Sequence, residues 1–134
     1  MSLEGIKLVA CDLDGTLLHP GEREPRPEAF ELIEELHRRG IVFMPASGRQ
    51  YASLRYLFAP VADKLAYVCE NGALVMDEGR AVVKRSMERG LAMDIAHAVV
   101  DYPHADVTLS CEGHLYVMSG NDAFVDHLRR EVHC

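Results

Sequence analysis

Two carboxylates, Asp12 and Asp14, lie two residues apart directly after a short apolar run that begins at Ile6. Such a run is typical of a strand buried on both faces of a parallel sheet. Side chains at i and i+2 of an extended chain point the same way, so both carboxylates are predicted at the strand end, with Leu13 pointing into the core. Gly15 then permits a sharp turn. Repulsion between the two carboxylates has to be offset by a bound cation, a shared proton or nearby donors.

A second group of polar residues follows the next predicted strand, which covers residues 41–44. A helical pattern from Pro27 to Gly40 connects the two strands, and this order predicts a βαβ crossover with parallel strands. Ligands of open α/β sheets bind at the edge where the strands' carboxyl ends emerge, which we call the rim. Asp12 and Ser47 are therefore expected to lie on one rim. A serine before a helix is also a common N-cap, so Ser47 has two interpretations.

The string D-L-D-G-T-L-L at residues 12–18 resembles the first motif of the haloacid dehalogenase-like hydrolases, most of which are phosphatases. S-G-R at residues 47–49 and N-G-A at residues 71–73 resemble the Cof-type branch of that family. The resemblance implies that Asp12 is a nucleophile that forms an aspartyl-phosphate and that Asp14 is the general acid/base. It also implies a magnesium ion held between the carboxylate of Asp12 and the backbone carbonyl of Asp14.

Five further residues receive their expected roles from the same resemblance or from turn chemistry. Ser47 is expected to hydrogen-bond the phosphoryl group, and Gly48 to allow a close backbone approach. Arg49 either contacts the substrate or orders the rim, with a structural ion pair as an equal alternative. Asn71 and Gly72 are substrate-side candidates, and they also form a pair typical of a tight turn with positive φ.

The second half of the sequence has a different pattern, of antiparallel strands and single helices. Leu91, Ile95, Ala98 and Val99 are predicted on one face of a helix. The predicted elements are a hairpin (74–76 and 81–84), a helix (87–102), a strand pair (106–110 and 114–118) and a helix (122–132). We therefore predict an α/β fold in two parts. Residues 1–80 form the N-terminal part of a hydrolase core, an incomplete Rossmann-like parallel sheet of about three strands. Residues 81–134 begin the α+β cap of Cof-type enzymes.

The resemblance stops before the family's third and fourth motifs, a lysine and a pair of acidic residues. Lys84 is predicted within the hairpin and away from the rim. The segment Ser119–Asp122 resembles an acidic motif only superficially, and its position predicts a helix cap. The resemblance implies that later strands lie beside the first strand on its far side. Without them the first strand is expected to be an exposed edge, which predicts self-association through that edge. The chain is thus expected to be a fragment, a truncated product or one half of a longer enzyme.

Composition limits the classes of partner. The 134-residue chain has a formal net charge of −7, with 49% hydrophobic and 26% charged residues. The negative charge argues against nucleic acid and anionic membranes, and no apolar run reaches the ~20 residues of a membrane helix. The four cysteines show no zinc-like spacing, which fits a reducing, cytoplasmic compartment.

The predicted function is a magnesium-dependent phosphomonoester hydrolase acting on a small phosphorylated metabolite, with impaired activity in this chain alone. Two alternatives remain at the level of sequence. One is a non-catalytic fragment that binds phosphate or a partner through the rim. The other is a phosphosugar mutase, which shares the same opening motif.

Overall fold

The computed structural model describes residues 4–111 and 113–131. The chain folds into two compact units, Met1–Lys84 and Arg85–Cys134. The predicted boundary after residue 80 would separate the strands of a hairpin. The first unit extends further because the second strand of that hairpin pairs within the first unit's sheet.

The first unit is a five-stranded sheet with helices between its first strands. The strand order is β1-β2-β3-β4-β5, with β1, β2 and β3 parallel and β4 and β5 antiparallel. Its elements are β1 (Leu8–Asp12), α1 (Pro27–Arg38), β2 (Val42–Ala46), α2 (Tyr51–Leu57), a 3-10 helix (Ala59–Lys64), β3 (Tyr67–Cys69), a short 3-10 turn (Glu70–Gly72), β4 (Leu74–Asp77) and β5 (Arg80–Lys84). The three predicted parallel strands and the hairpin are confirmed. The sheet is larger than predicted because the hairpin extends it instead of beginning the cap.

Helix α1 begins and ends where its sequence predicts. Pro27 occupies its first turn, where a missing N–H leaves no hydrogen bond unmade. Gly40 follows the helix with a φ of 70°, a conformation that suits glycine. Ile33 and Leu36 are buried against the sheet, whereas Leu32 is 58% exposed on the outer side of the helix. The helix therefore packs by one apolar face.

One face of the sheet forms the hydrophobic core of the first unit. Phe43 of β2 and Tyr67 of β3 are buried there with Leu54 and Phe58. The Tyr67 hydroxyl, deep in this core, donates a hydrogen bond to the carbonyl oxygen of Ala62 at 2.7 Å. Burial raises the pKa of the Tyr67 phenol. The phenol is thus a satisfied structural donor, which is the usual state of a buried tyrosine.

Strand β1 is not buried on both faces, and that prediction is wrong. Its residues alternate between exposed and half-buried, and Leu8 is 47% exposed. Helices α1 and α2 bring their buried residues to the opposite face of the sheet, so the side chains of Leu8 and Ala10 remain exposed. In the described part of the chain β1 has one neighbour, β2, which confirms the predicted exposed edge.

The second unit contains α3 (Arg89–Val100), β6 (Val107–Cys111), β7 (His114–Met118) and α4 (Asp122–Glu131). The predicted antiparallel pair is confirmed as β6 and β7. Helix α3 buries Ala96, while Leu91, Ile95 and Val99 of the predicted packing face remain exposed. A two-stranded sheet is too small to cover that face. Val132 of the predicted last helix and Glu112 of the predicted turn lie outside the described residues.

Asn121 caps the start of α4. Its side-chain oxygen accepts a hydrogen bond from the backbone N–H of Phe124 at 3.2 Å, and Ser119 Oγ accepts one from the N–H of Asn121 at 2.9 Å. Asn and Ser are preferred in this role because they satisfy the unpaired N–H groups of a first turn. The prediction that Ser119–Asp122 is a helix cap is confirmed.

Among residues 4–111 and 113–131, none of the helices has both the length and the apolar character needed to cross a bilayer.

Cys69 is expected to resist alkylation. Its side chain is fully buried at the end of β3, and burial raises its pKa to about 12. Because the thiolate is the reactive form, its modification by iodoacetamide at pH 8.5 should be at least about 100-fold slower than that of exposed Cys111. Peptide mapping by mass spectrometry measures both rates. Equal rates in folded protein would contradict the burial of Cys69.

Candidate active site

The loop after β1 is a closed turn that separates exposed carboxylates from buried leucines. Asp12 and Asp14 are exposed, whereas Leu13 is 0% and Leu18 is 2% exposed. The Leu18 N–H donates to the Leu13 carbonyl oxygen at 2.8 Å, and the Gly15 N–H donates to the Leu18 carbonyl oxygen at 2.8 Å. Gly15 has a φ of 90°, which favours glycine. The predicted inward orientation of Leu13 is confirmed, and its burial fixes the loop that carries both carboxylates.

Thr16 contacts the first carboxylate. Its hydroxyl Oγ1 donates to Asp12 Oδ2 at 3.2 Å, a contact that orients this exposed carboxylate. The sequence prediction did not include Thr16 among the site residues. The sequence feature that could have identified Thr16 is its position one residue after Gly15, because a turn at that glycine folds the chain back toward the strand end.

Arg49 forms an ion pair with the second carboxylate. Its Nη2 lies 2.9 Å from Asp14 Oδ1, and the two residues are 35 positions apart in sequence. The arginine side chain is 31% exposed and the aspartate side chain 66% exposed, so the pair contributes little to stability. Repulsion between Asp12 and Asp14 can be offset by a cation, a shared proton or nearby donors. The described residues provide nearby donors, Thr16 and Arg49. Arg49 thus links the loop after β1 to the loop after β2.

Ser47 lies on the rim, between the ends of β1 and β3. Asp12 pairs in register with Ala46, so Ser47 is the first residue beyond that pair. Its N–H donates to the Val68 carbonyl oxygen at 3.0 Å, and its Oγ accepts from the Arg49 N–H at 3.3 Å. The N-cap of α2 is Gln50 and not Ser47, so the N-cap interpretation of Ser47 is wrong. Ser47 is half-buried, and its hydroxyl contacts the backbone of its own loop.

Asn71 packs directly on the backbone of Gly48. A Cβ at position 48 would lie 3.0 Å from Asn71 Oδ1, which is closer than ordinary contact. The turn holding Asn71 has three consecutive positive φ angles, 53° at Glu70, 54° at Asn71 and 90° at Gly72. Glutamate is unusual in this conformation, which costs on the order of 1 kcal/mol. The predicted positive-φ turn is confirmed, and the Asn71 N–H donates to the Ser47 carbonyl oxygen at 3.2 Å.

Gly48→Ala is expected to push the Asn71 side chain off the rim and to lower the free energy of unfolding by about 1 kcal/mol. The same change in an Asn71→Gly background should cost clearly less, because that background removes the side chain and glycine tolerates the φ of 54°. Urea unfolding of the four proteins gives the coupling energy. Additive effects would show that the two residues do not press on each other.

Lys84 lies on the rim side of the sheet, contrary to its predicted position. It pairs with Leu74, which pairs with Cys69 at the carboxyl end of β3. The prediction was wrong because the hairpin continues the sheet. β5 is nevertheless four strands from β1, a distance of ~19 Å at the usual strand spacing, so Lys84 does not reach Asp12.

The oxygen ligands near the strand ends are of the type that a hard cation prefers, but there are few of them. Asp12 offers an exposed carboxylate, and oxygen ligands of this kind suit magnesium. Within the described residues, no group of three or more His, Cys, Asp or Glu side chains is arranged to hold a metal ion. Magnesium usually needs only one or two carboxylates and takes its other ligands from water and substrate phosphate. The site therefore fits a weakly held ion.

Known proteins resemble this chain over most of its length. A family described as haloacid dehalogenase-like hydrolase matches residues 9–133. The 5-amino-6-(5-phospho-D-ribitylamino)uracil phosphatase YbjI of Escherichia coli K12 is 28% identical over 117 residues, which cover 87% of this chain and 43% of that protein. A crystal structure from Eubacterium rectale has a TM-score of 0.79 and 29% identity over 96% of this chain and 49% of its own.

A third relative is the structure of a haloacid dehalogenase-like hydrolase from Bacillus subtilis, with a TM-score of 0.75 and 25% identity. The match covers 90% of this chain and 42% of that one. The chain thus spans less than half the length of each of these three relatives.

Proposed function

From the premise that this chain belongs to the haloacid dehalogenase-like hydrolases, we propose that it carries the nucleophile and the acid/base of a phosphomonoester hydrolase. The proposed substrate is a small phosphorylated metabolite. Support comes from YbjI, whose name describes a phosphatase for a phosphorylated ribitylaminouracil. The free thiols of Cys11, Cys69 and Cys111 are consistent with the reducing cytoplasm as the proposed compartment.

One observation carries the proposal: the ends of three adjacent parallel strands bring together residues with complementary chemistry. Asp12 and Asp14 follow β1, Ser47 follows β2 and Asn71 follows β3. The Arg49–Asp14 ion pair and the packing of Asn71 on Gly48 join these loops. Carboxyl ends of parallel strands are where open α/β sheets bind ligands.

Asp12 is the proposed nucleophile. Thr16 holds its Oδ2, which leaves Oδ1 to attack phosphorus in line and form an aspartyl-phosphate. Asp14 gives a proton to the departing oxygen and later takes one from the water that hydrolyses the intermediate. Arg49 occupies Asp14 Oδ1, so Oδ2 is the oxygen that exchanges the proton.

Ser47, Gly48 and Asn71 are proposed to hold the phosphoryl oxygens and the substrate. The Asp12 carboxylate and the backbone carbonyl of Asp14 are proposed to hold Mg²⁺, which when bound would neutralise negative charge on the phosphoryl group. The second unit, with its helices and antiparallel strand pair, is proposed to be part of a cap that selects the leaving group.

The test is hydrolysis of p-nitrophenyl phosphate by the 134-residue chain, measured with magnesium and with EDTA. Turnover that requires magnesium and saturates with substrate is the expected result. Turnover that is equal in EDTA would refute the proposed role of the metal ion.

A non-catalytic binding role is the second candidate, and two observations favour it. The described residues include no cluster of three potential metal ligands, and Lys84 is too far from Asp12 to stabilise the phosphoryl group. A fixed cation near the transferred group is a large term in phosphoryl transfer. Folded protein that binds inorganic phosphate at the rim without turnover would identify this second function.

A further inference from the structure

The first unit contains a cavity of about 310 Å³ on the helix-covered face of its sheet. The wall of the cavity is formed by α2, the 3-10 helix after it, the start of β3 and the turn between β4 and β5. Because β4 runs antiparallel to β3, that turn lies at the end of the sheet opposite the rim. Small-molecule sites in proteins have volumes of roughly 300–1,000 Å³, so this cavity suits a small ligand.

Arg55, on one side of the cavity, is already held by groups of the cavity wall. Its Nη2 lies 2.9 Å from Asp63 Oδ1, and its Nη1 donates to the Tyr51 hydroxyl at 3.4 Å. The guanidinium carbon lies 5.9 Å from the centroid of the Tyr51 ring, and that ring packs edge-to-face with Tyr67 at a centroid distance of 5.2 Å. A guanidinium held by a carboxylate, a hydroxyl and an aromatic ring has little left to offer an anionic ligand.

Glu78 provides the other carboxylate of the cavity wall besides Asp63. Among residues 4–111 and 113–131, the Glu78 carboxylate has no hydrogen-bond or ion-pair partner. Its φ is 46°, at the first of the two central positions of the turn from Asp77 to Arg80. Asn, Asp and Gly are usual at this position, and a glutamate strains the turn. Because strained residues cluster at ligand sites, an unpaired carboxylate in this setting indicates a ligand of positive charge.

We propose that this cavity binds a small aliphatic amine. The ammonium group would pair with the Glu78 carboxylate, and the carbon chain would lie against Leu65 and the rings of Tyr51 and Tyr67. One guanidinium and two carboxylates line the cavity, so its wall has a formal net charge of −1, and the whole chain has a net charge of −7. Both charges favour a cation. A hydrogen bond between ammonium and carboxylate is also stronger in a partly enclosed site than in water.

The experiment titrates the ¹⁵N-labelled 134-residue chain with three probes that share a four-carbon chain and differ in charge. Putrescine (1,4-diaminobutane) is the cation, 1,4-butanediol is neutral and succinate is the anion. Putrescine is expected to shift the backbone amide signals of Leu65, Glu78 and Gly79 in a saturable way. The diol should bind at least about 10-fold more weakly, because hydrogen bonds to charged groups contribute about 1.5–3 kcal/mol. Succinate should leave these signals unchanged.

Glu78→Gln removes the charge and keeps the length of the side chain, so it should weaken putrescine binding at least about 10-fold. Glu31→Gln is the matched control, since Glu31 is exposed on α1 and does not line the cavity. It should change the affinity less than about 2-fold, because a charge far from the bound amine is screened by salt.

Glu78→Asn separates binding from folding. Asparagine prefers the turn conformation of this position, so the variant should unfold at a higher urea concentration and still lose the binding. None of these readouts depends on hydrolysis, so they stand or fall separately from the proposed function. Putrescine that shifts only rim signals or none, succinate or diol binding as tight as putrescine binding, or equal weakening by Glu78→Gln and Glu31→Gln would overturn the proposal.

Discussion

Replacing Asp12 with asparagine is expected to lower the turnover of p-nitrophenyl phosphate at least about 10⁴-fold, as the loss of a nucleophile does in other enzymes. The amide is a poor nucleophile, whereas its oxygen still accepts the hydrogen bond from Thr16. Asp12 is exposed, so the free energy of unfolding should change by less than about 0.5 kcal/mol. Activity and urea unfolding of the same preparations separate the two effects.

Asp77→Asn is the matched control for this experiment. Asp77 is an exposed aspartate at the far end of β4, which runs antiparallel to β3 and so ends at the opposite side of the sheet from the rim. The same chemical change there should leave turnover unaltered. Undiminished turnover by Asp12→Asn would refute the nucleophile assignment.

The largest effect on stability is expected from Leu13→Ala. Leu13 is 0% exposed and lies in the core of the first unit, so truncation removes buried methyl groups and leaves a cavity. Such changes cost about 2–5 kcal/mol, a large part of the ~5–15 kcal/mol that stabilises a domain. Urea unfolding followed by circular dichroism should show a clearly lower midpoint. Turnover should fall as well, because Leu13 anchors the loop between Asp12 and Asp14.

Leu32→Ala tests whether burial or the loss of a leucine causes the change. Leu32 is 58% exposed on α1, and alanine is a good helix former, so the free energy of unfolding should stay within about 0.5 kcal/mol of the parent. Equal destabilisation by both substitutions would show that Leu13 does not contribute to the core as the structure indicates.

Features that depend on neighbouring residues could be predicted from the sequence. Periodicity, turn residues and capping chemistry predict the strand that ends at Asp12, the helix between Pro27 and Gly40 and the cap at Asn121. These are interactions over a few positions, where residue type and spacing determine geometry. The order strand, helix, strand also determined that β1 and β2 are parallel.

Contacts between distant positions were decided only by the tertiary structure. The Arg49–Asp14 pair spans 35 positions, and the packing of Asn71 on Gly48 depends on how the loops after β2 and β3 meet. Likewise, the pattern of β1 fits burial on both faces, yet Leu8 is 47% exposed. An apolar sequence shows that a strand can be covered on both sides. Whether it is covered depends on which elements pack there, and α1 and α2 both pack on the other face.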